Sequence, residues 1–347
     1  MSSHLPTGEP TPWSRVVAIP VALTVAVSVI VLAFLWPALT SSPQNLPIAV
    51  AGPAAQVDQV TGAIEANADG AFEITAVDDR DAAVAAIEHR DVYGAIVLGQ
   101  SPEVLTASAA SPVAAQALGA VAAQLQGQLQ QAAAAQAAAQ GAPPPTITVQ
   151  VTDVVPLADT DERGTGLASA VLPLVIGGLI GGILTSLLLA GRGRRLVALA
   201  LYAVLAGAAV AGILQGWLGV LQGSYVLNAA AIALAMLAIG AAVAGLASLL
   251  GRPGLALGAV TFILFAVPLA SAATPVEFLL APWGAVGQWF PPGAGATLLR
   301  ELSYFPAADT AFPWLVLAGW AVAGAALVLA GRALDAAAAS RTVADAS

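Results

Sequence analysis

Six stretches of this chain, residues 16–36, 167–190, 196–216, 226–250, 255–274 and 312–330, contain no Asp, Glu, Lys, Arg or His. Each is about twenty residues long, the helix length that crosses a hydrocarbon core roughly 30 Å thick. In lipid, a helix also pairs its backbone groups within the segment itself. The pattern predicts a polytopic α-helical membrane protein with six transmembrane helices. Between the first and second spans, residues 41–165 change to short apolar runs broken by polar turns, which predicts one α/β domain in water. The division expected along the chain is a tail 1–15, a first span 16–36, the inserted domain 41–165, a five-helix membrane domain 167–332 and a tail 333–347.

Within the inserted domain, residues 46–51 read as a buried strand, 72–77 as an alternating one, and 93–98 as a third closed by Gly99. A helix begins near Pro53, a favoured first-turn residue, with Val57, Val60 and Ile64 at helical spacing. Another covers 80–89, with Val84 and Ile87 inward. This β-α-β-α-β order predicts parallel pairs and right-handed crossovers, with 103–107 pairing beside the third strand. The Ala/Gln-rich stretch 112–140 repeats Leu118, Val121, Leu125 and Leu129 every three or four residues, an amphipathic helix. It is expected to lie on the domain or project from it; the alternative is a coiled-coil contact in a homodimer. Pro143, Pro144 and Pro145 end it, and 146–155 returns as a strand.

Composition adds orientation. The chain is 59% hydrophobic and 9% charged, with a mean hydropathy of +0.85. It has no lysine, so its basic residues are arginines. Arg15, then Arg192, Arg194 and Arg195, then Arg252, and finally Arg332 and Arg341 share one face if the helices alternate, against Arg163 and Arg300 on the other. Arginines collect on the cytoplasmic side of short loops, so both termini are expected inside and the inserted domain outside. The first span exceeds the 7–15 apolar residues of a signal peptide and no A-x-A site follows it, so it reads as an uncleaved anchor. The net charge of -9 reflects an acidic outer domain and argues against nucleic acid as a partner. Without cysteine that domain holds together by its core alone. The lysine-free, Ala-, Arg- and Gly-rich usage points to a high-GC bacterium, hence its plasma membrane.

Residues for chemistry are few. There is no G-x-x-x-x-G-K-[ST] phosphate loop and no G-x-S-x-G elbow. His4 and His89 lie far apart with no cysteines, so no metal or other cofactor is expected. Asp78, Asp79 and Asp81 precede a helix, where carboxylates cap and solvate; calcium is the alternative. An enzyme is disfavoured. The spans also lack the ionisable groups of proton-coupled carriers. Their milder polar residues, Thr185, Ser186, Gln215, Asn228, Ser248 and Thr261, are expected to hydrogen-bond between helices. Gly177, Gly178, Gly181 and Gly182 form two overlapping G-x-x-x-G patterns, which permit close helix approach. Pro173 and Pro268 are expected to kink their helices.

The loop 276–311 before the last span is rich in aromatics: Trp283, Trp289, Phe290, then Pro291, Pro292 and Arg300. Aromatics at this density suit the membrane–water interface. Two short amphipathic pieces are expected to lie on, or dip into, the outer leaflet, where a lipid-like substrate would meet them. The run 46–52, the run 80–99 and the segment 289–300 resemble type-2 ABC exporter permeases, with the phage-infection-protein (Pip-like) branch the nearest in pattern. The resemblance implies a permease without its own ATPase, paired with a separate ATP-binding subunit. It further implies a dimer that moves lipids, glycans or hydrophobic compounds outward among membrane lipids. Two features depart from that pattern. Residues 1–14, with Pro6, Pro10 and Pro12, show no amphipathic interface helix, and 191–195 leaves hardly a turn for a coupling helix. These departures favour the alternative of a cell-envelope scaffold, secretion accessory or phage-receptor-like protein acting through its outer domain.

Overall fold

The computed structural model describes residues 12–67, 70–99, 101–143 and 145–344. His4, Pro6, Pro10 and Pro144 lie outside them, and the side chains of Arg332 and Arg341 are likewise not described. The molecule is mostly helical, with five helices long and apolar enough to cross a membrane and one small α/β sheet.

The first helix, α1 (Trp13–Leu39), buries none of its residues; its end packs lightly, near Leu264, Phe265 and Trp283. Its uniformly apolar surface needs no protein partner in lipid, which is as apolar as the side chains themselves.

The sheet domain follows. Its elements are β1 (Leu46–Ala51), α2 (Ala54–Asn67), β2 (Phe72–Val77), α3 (Arg80–Glu88), β3 (Gly94–Val97), β4 (Glu103–Thr106), α4 (Pro112–Gln140) and β5 (Gln150–Asp153). The strand order is β2-β1-β3-β4-β5; β1 runs parallel to β2 and β3, while β4 opposes β3 and parallels β5. Stepping outward from β1 to β2 and back to β3 reverses direction, so right-handed connections put α2 and α3 on opposite faces. One face buries Ile48, Val50, Ile96 and Val104 against Val57 of α2 and Leu118 and Ala122 of α4. The other buries Ala49, Ala95 and Leu105 against Ala83 and Ile87 of α3. Asp79 caps α3, its side chain accepting from Ala82 N–H at 2.8 Å. Close packing of α4 needs Gly94, where a Cβ would meet the Leu105 carbonyl and the Leu118 methyl. Beyond the sheet, Gln126 and Gln130 bind the returning backbone at Val149, Ile147 and Pro145. The segment leading into β5 is therefore held to α4 by side-chain amides.

Four further spans form the bundle: α5 (Thr165–Leu188), α6 (Arg192–Ala211, continued as a π turn Gly212–Trp217), α7 (Tyr225–Leu250) and, after the short elements below, the last helix from Ala311. The centre is α7, whose run from Ala238 to Gly245 is buried throughout. Small residues let backbones touch there: a Cβ on Gly182 would lie 2.5 Å from the Gly240 carbonyl, and one on Gly207 2.7 Å from that of Ala229. Pro173 sits inside α5, which continues through it.

The expected span 255–274 is not one continuous helix. It forms α8 (Arg252–Ala259) and a π turn Val260–Ala266, together about 22 Å long, and stops before Pro268. Proline lacks the N–H and clashes with the carbonyl four residues back, so Pro268 ends this helix rather than kinking it. The chain still reaches the sheet domain at Glu277, whose carbonyl accepts from Gln44 N–H at 3.1 Å.

It then turns back. The helix α9 (Trp283–Gln288) packs Gly287 against the Leu269 backbone, and α10 (Pro291–Tyr304) starts beside Val175 and Ile239, midway along α5 and α7. From there α10 climbs to Leu302, against Gly223, and to Tyr304, whose hydroxyl donates to the Val220 carbonyl at 3.0 Å. α11 (Ala311–Ala344) then packs along α7. Of the two arrangements expected for this loop, lying on the outer leaflet or dipping in, α10 has the burial of a piece that enters the bundle. Its Gly293–Gly295–Ala296 face is small enough for this, and Pro291 and Pro292 occupy its first turn, where their missing N–H groups cost nothing.

Candidate functional site

The site with the most polar chemistry is the joint between the sheet domain and the bundle. Phe278 and Phe305, from the turned-back segment, enter the same core as Ala83, Ile87, Ala95 and Leu105 of the sheet domain. The three-residue 3-10 turn Val276–Phe278 supplies the first, and the end of α10 the second. Beside them, Arg90 Nη1 donates to Glu301 Oε1 at 3.0 Å, linking residues 211 apart in sequence. Both side chains are nearly enclosed, 13% and 10% exposed. The Arg90 guanidinium also lies 5.4 Å from the Phe305 ring centroid, within cation–π range.

Local geometry aims Arg90 at this partner. It follows α3 with φ 64°, the left-handed conformation in which glycine ordinarily closes a helix. Its N–H still bonds to the Ile87 carbonyl and that of Asp91 to Ala86, the usual closing pair. A branched cation therefore sits in a backbone position that disfavours it, and its side chain points into the joint.

Arg300, one residue before Glu301, is buried and donates Nη2 to the Ala272 carbonyl at 2.7 Å. Burial, reinforced by Arg90, lowers its pKa to about 10. Burial raises Glu301 above the ordinary carboxylate range while Arg90 pulls it back. Tyr93 of the joint is raised by burial and then by Glu277. One oxygen each of Glu277 and Glu301, and the Ser303 hydroxyl, are buried without a hydrogen-bond partner. A second contact is lighter: Thr160 Oγ1 donates to the Gly219 carbonyl at 2.7 Å.

The aromatic residues singled out from sequence converge. Trp283 and Phe290 pack edge-on against Phe265, at 6.1 and 5.4 Å between centroids. Trp289 meets Phe312 at 5.1 Å, and its carbonyl accepts from Trp320 Nε1 at 2.8 Å. Trp289, Phe312, Leu315, Val316, Trp320 and neighbours line an open apolar groove of about 520 Å³ on the flank of α11.

The four glycines of α5 face neighbouring helices. A Cβ on Gly177 would meet Met236, on Gly178 Ile239, on Gly181 the Tyr202 ring, and on Gly182 Gly240. Among the loop arginines, Arg195 closes α5, donating to the Ser186 and Leu189 carbonyls and to Ser248 Oγ of α7. Cations near a helix C-terminus satisfy its last carbonyls. Arg194 and Arg252 are exposed, and Arg192 opens α6. The polar span residues meet the expectation of interhelical bonds in part: Ser248 Oγ accepts from Arg195 of α6, but the hydroxyls mostly donate within their own helix. Thr185, Ser248 and Thr261 bond to carbonyls of their own helix, because a hydroxyl reaches the preceding turn more easily than another helix. Asn228 does bridge, donating to Gln215 Oε1 at 3.0 Å.

Sequence reasoning missed the pairing partner of Arg300's neighbour. Nothing in the sequence singled out Glu301 and Arg90 as partners, because they stand 211 residues apart. Among the described residues no cluster of His, Cys, Asp and Glu could hold a metal ion. No family model, no curated protein and no solved structure matches this chain.

Proposed function

We propose that this protein is the membrane subunit of an ABC-type exporter, moving a hydrophobic or lipid-linked substrate outward with power from a separate ATP-binding subunit. One observation carries the reading. A buried helix, α10, turns back into the bundle with an open apolar groove at its entry and the sheet domain at its exit. A hydrophobic molecule in the outer leaflet would meet Trp289 and Trp320 first and the joint last. The resemblance to type-2 ABC exporter permeases of the phage-infection-protein branch adds to this reading. It goes with six crossings, the fifth made by α8 and the irregular chain after it, both termini in the cytoplasm, the sheet domain outside and the plasma membrane of a bacterium. Membrane lipids surround it, a homodimer would supply the second half of a path, and neither catalysis nor nucleic acid enters.

A second reading rests on the opposite face. Leu189–Gly191 and Gly251 join their helices in tight turns, which offer a motor little to grip. Under that reading the protein is an envelope scaffold, secretion accessory or phage-receptor-like protein working through its sheet domain. Purification of the tagged chain from native membranes in mild detergent, with mass spectrometry of its companions, separates the two. A stoichiometric subunit with a phosphate-binding ATPase loop supports export. Envelope proteins alone, or no companion, would overturn it in favour of the scaffold.

A further inference from the structure

The end of α1 and the broken fifth span leave a hollow between them. The π turn after α8 stops at Ala266, so this helix falls short of the roughly 30 Å of a hydrocarbon core. The chain leaves the helical path at Pro268 and comes back past α1 at Leu279, Leu280 and Trp283. Between these residues and the last turns of α1 lies an apolar pocket of about 150 Å³. Leu269 and Leu279 of its lining are buried, whereas Trp36, Leu280 and Trp283 are exposed, so the pocket opens to the surrounding lipid. The sequence of α1 makes the space. From Val29 to Trp36 every residue is large and apolar except Ala33, and Ala33 lines the pocket with Pro37 one turn on. Those two are half-buried, while every other residue of α1 is exposed.

Size and chemistry select what fills it. A helix, about 10 Å across, is too wide to enter. Water finds little to hold it, since the one hydroxyl in the lining, Thr40 Oγ1, already donates to the Trp36 carbonyl at 2.8 Å. An apolar cavity of about this volume stays dry and accepts a hydrocarbon the size of benzene. Tryptophans at its mouth suit the membrane–water interface, the depth at which lipid chains begin. We propose that the pocket holds an acyl-chain segment of one membrane lipid from the leaflet on the sheet-domain side. That chain packs on α1 and on the broken span at once, and so fastens to the bundle a helix that buries no residue against it. The drive is close packing and not escape from water, because the chain leaves one apolar medium for another. The site shares no residue with the groove beside Trp289 and Trp320, and it stands under either reading of function.

The test uses the full chain in phosphatidylcholine nanodiscs, one copy per disc, with part of the lipid carrying a photoreactive diazirine on one acyl chain. After irradiation, mass spectrometry compares adducts on residues 264–269 and 279–283 with those on the exposed face of α6 at Leu201 and Leu205. Labelling in the pocket is expected to exceed that face several-fold and to saturate as the labelled fraction rises, while the face rises in proportion. Ala33→Phe fills the hollow and should bring the pocket down to the level of the face. Leu32→Phe, at an exposed neighbouring position, should leave the labelling as in the parent, which separates loss of the site from misfolding. Pocket labelling that only follows the face in the parent, or that survives Ala33→Phe, would reduce the site to bulk lipid and overturn the proposal. Loss of the labelling in discs that hold two copies would give the pocket to the second copy and overturn it as well.

Discussion

The sheet domain and the helix bundle are held together by different means. In the domain, Ile48, Val50, Ile96, Val104 and Leu105 leave water for a core between helices and sheet, and apolar burial supplies the drive. In the bundle the helices are already in an apolar medium, so burial gains little, and cohesion comes from backbones brought close at Gly178, Gly182, Gly207 and Gly245. Large side chains are therefore indispensable in one region and small ones in the other. The same contrast fits α1, which carries no glycine and buries none of its residues.

The comparison can be broken by exchanging the roles. Leu105→Ala, at a fully buried site of the sheet, is expected to cost about 3 kcal/mol. Hydrogen exchange of residues 94–106 in the full chain would report it, and unchanged protection would mean the sheet core is not what holds the domain. Gly182→Val places a branched side chain against the Gly240 backbone and should cost about 2 kcal/mol in detergent-driven unfolding of the bundle. The matched change Gly319→Val, where nothing lies within 4 Å of the added Cβ, should leave that transition unmoved.

Two smaller effects sharpen the domain side. Asp79→Ala removes the α3 cap and should lower local stability by about 1 kcal/mol, seen as faster exchange over residues 80–88 and not elsewhere. The last is a pH effect. Arg80 donates to Glu103 at 2.7 Å and holds its carboxyl below the usual range. A depressed folded-state pKa gives stability that is present above the unfolded value and lost as pH falls through the folded one. Arg80→Gln should therefore lower the domain's melting point slightly at neutral pH, the arginine being half exposed, and converge with the parent in acid, which flattens the acid limb. An acid limb as steep as the parent's would assign that limb to other carboxylates.

Much of this architecture was legible beforehand, and particular residues show why. The long uncharged runs, the strands at 46–51 and 72–77, the Asp79 cap and the close approach at Gly182 all depend on neighbours within a few turns or on a period of the chain. Local spacing encodes these directly. The end of α8 was also written locally, at Pro268, but a proline in an apolar run reads equally as a kink or a stop. What surrounds it decided for the stop: the chain after Ala266 has its own partners in Arg300, Gln44 and Gly287, so nothing is gained by continuing the helix.

By itself, then, the sequence determined most of the helices and strands and which long runs are apolar enough for lipid, though not the early stop of the run 255–274, because those properties follow from composition and periodicity over short windows. Only the tertiary structure decided that α10 enters the bundle, that glutamines of α4 hold the segment leading into β5, and that Arg90 meets Glu301. Each of these joins residues far apart in the chain through shape and charge that exist only once the intervening elements have packed, so no local pattern could announce them.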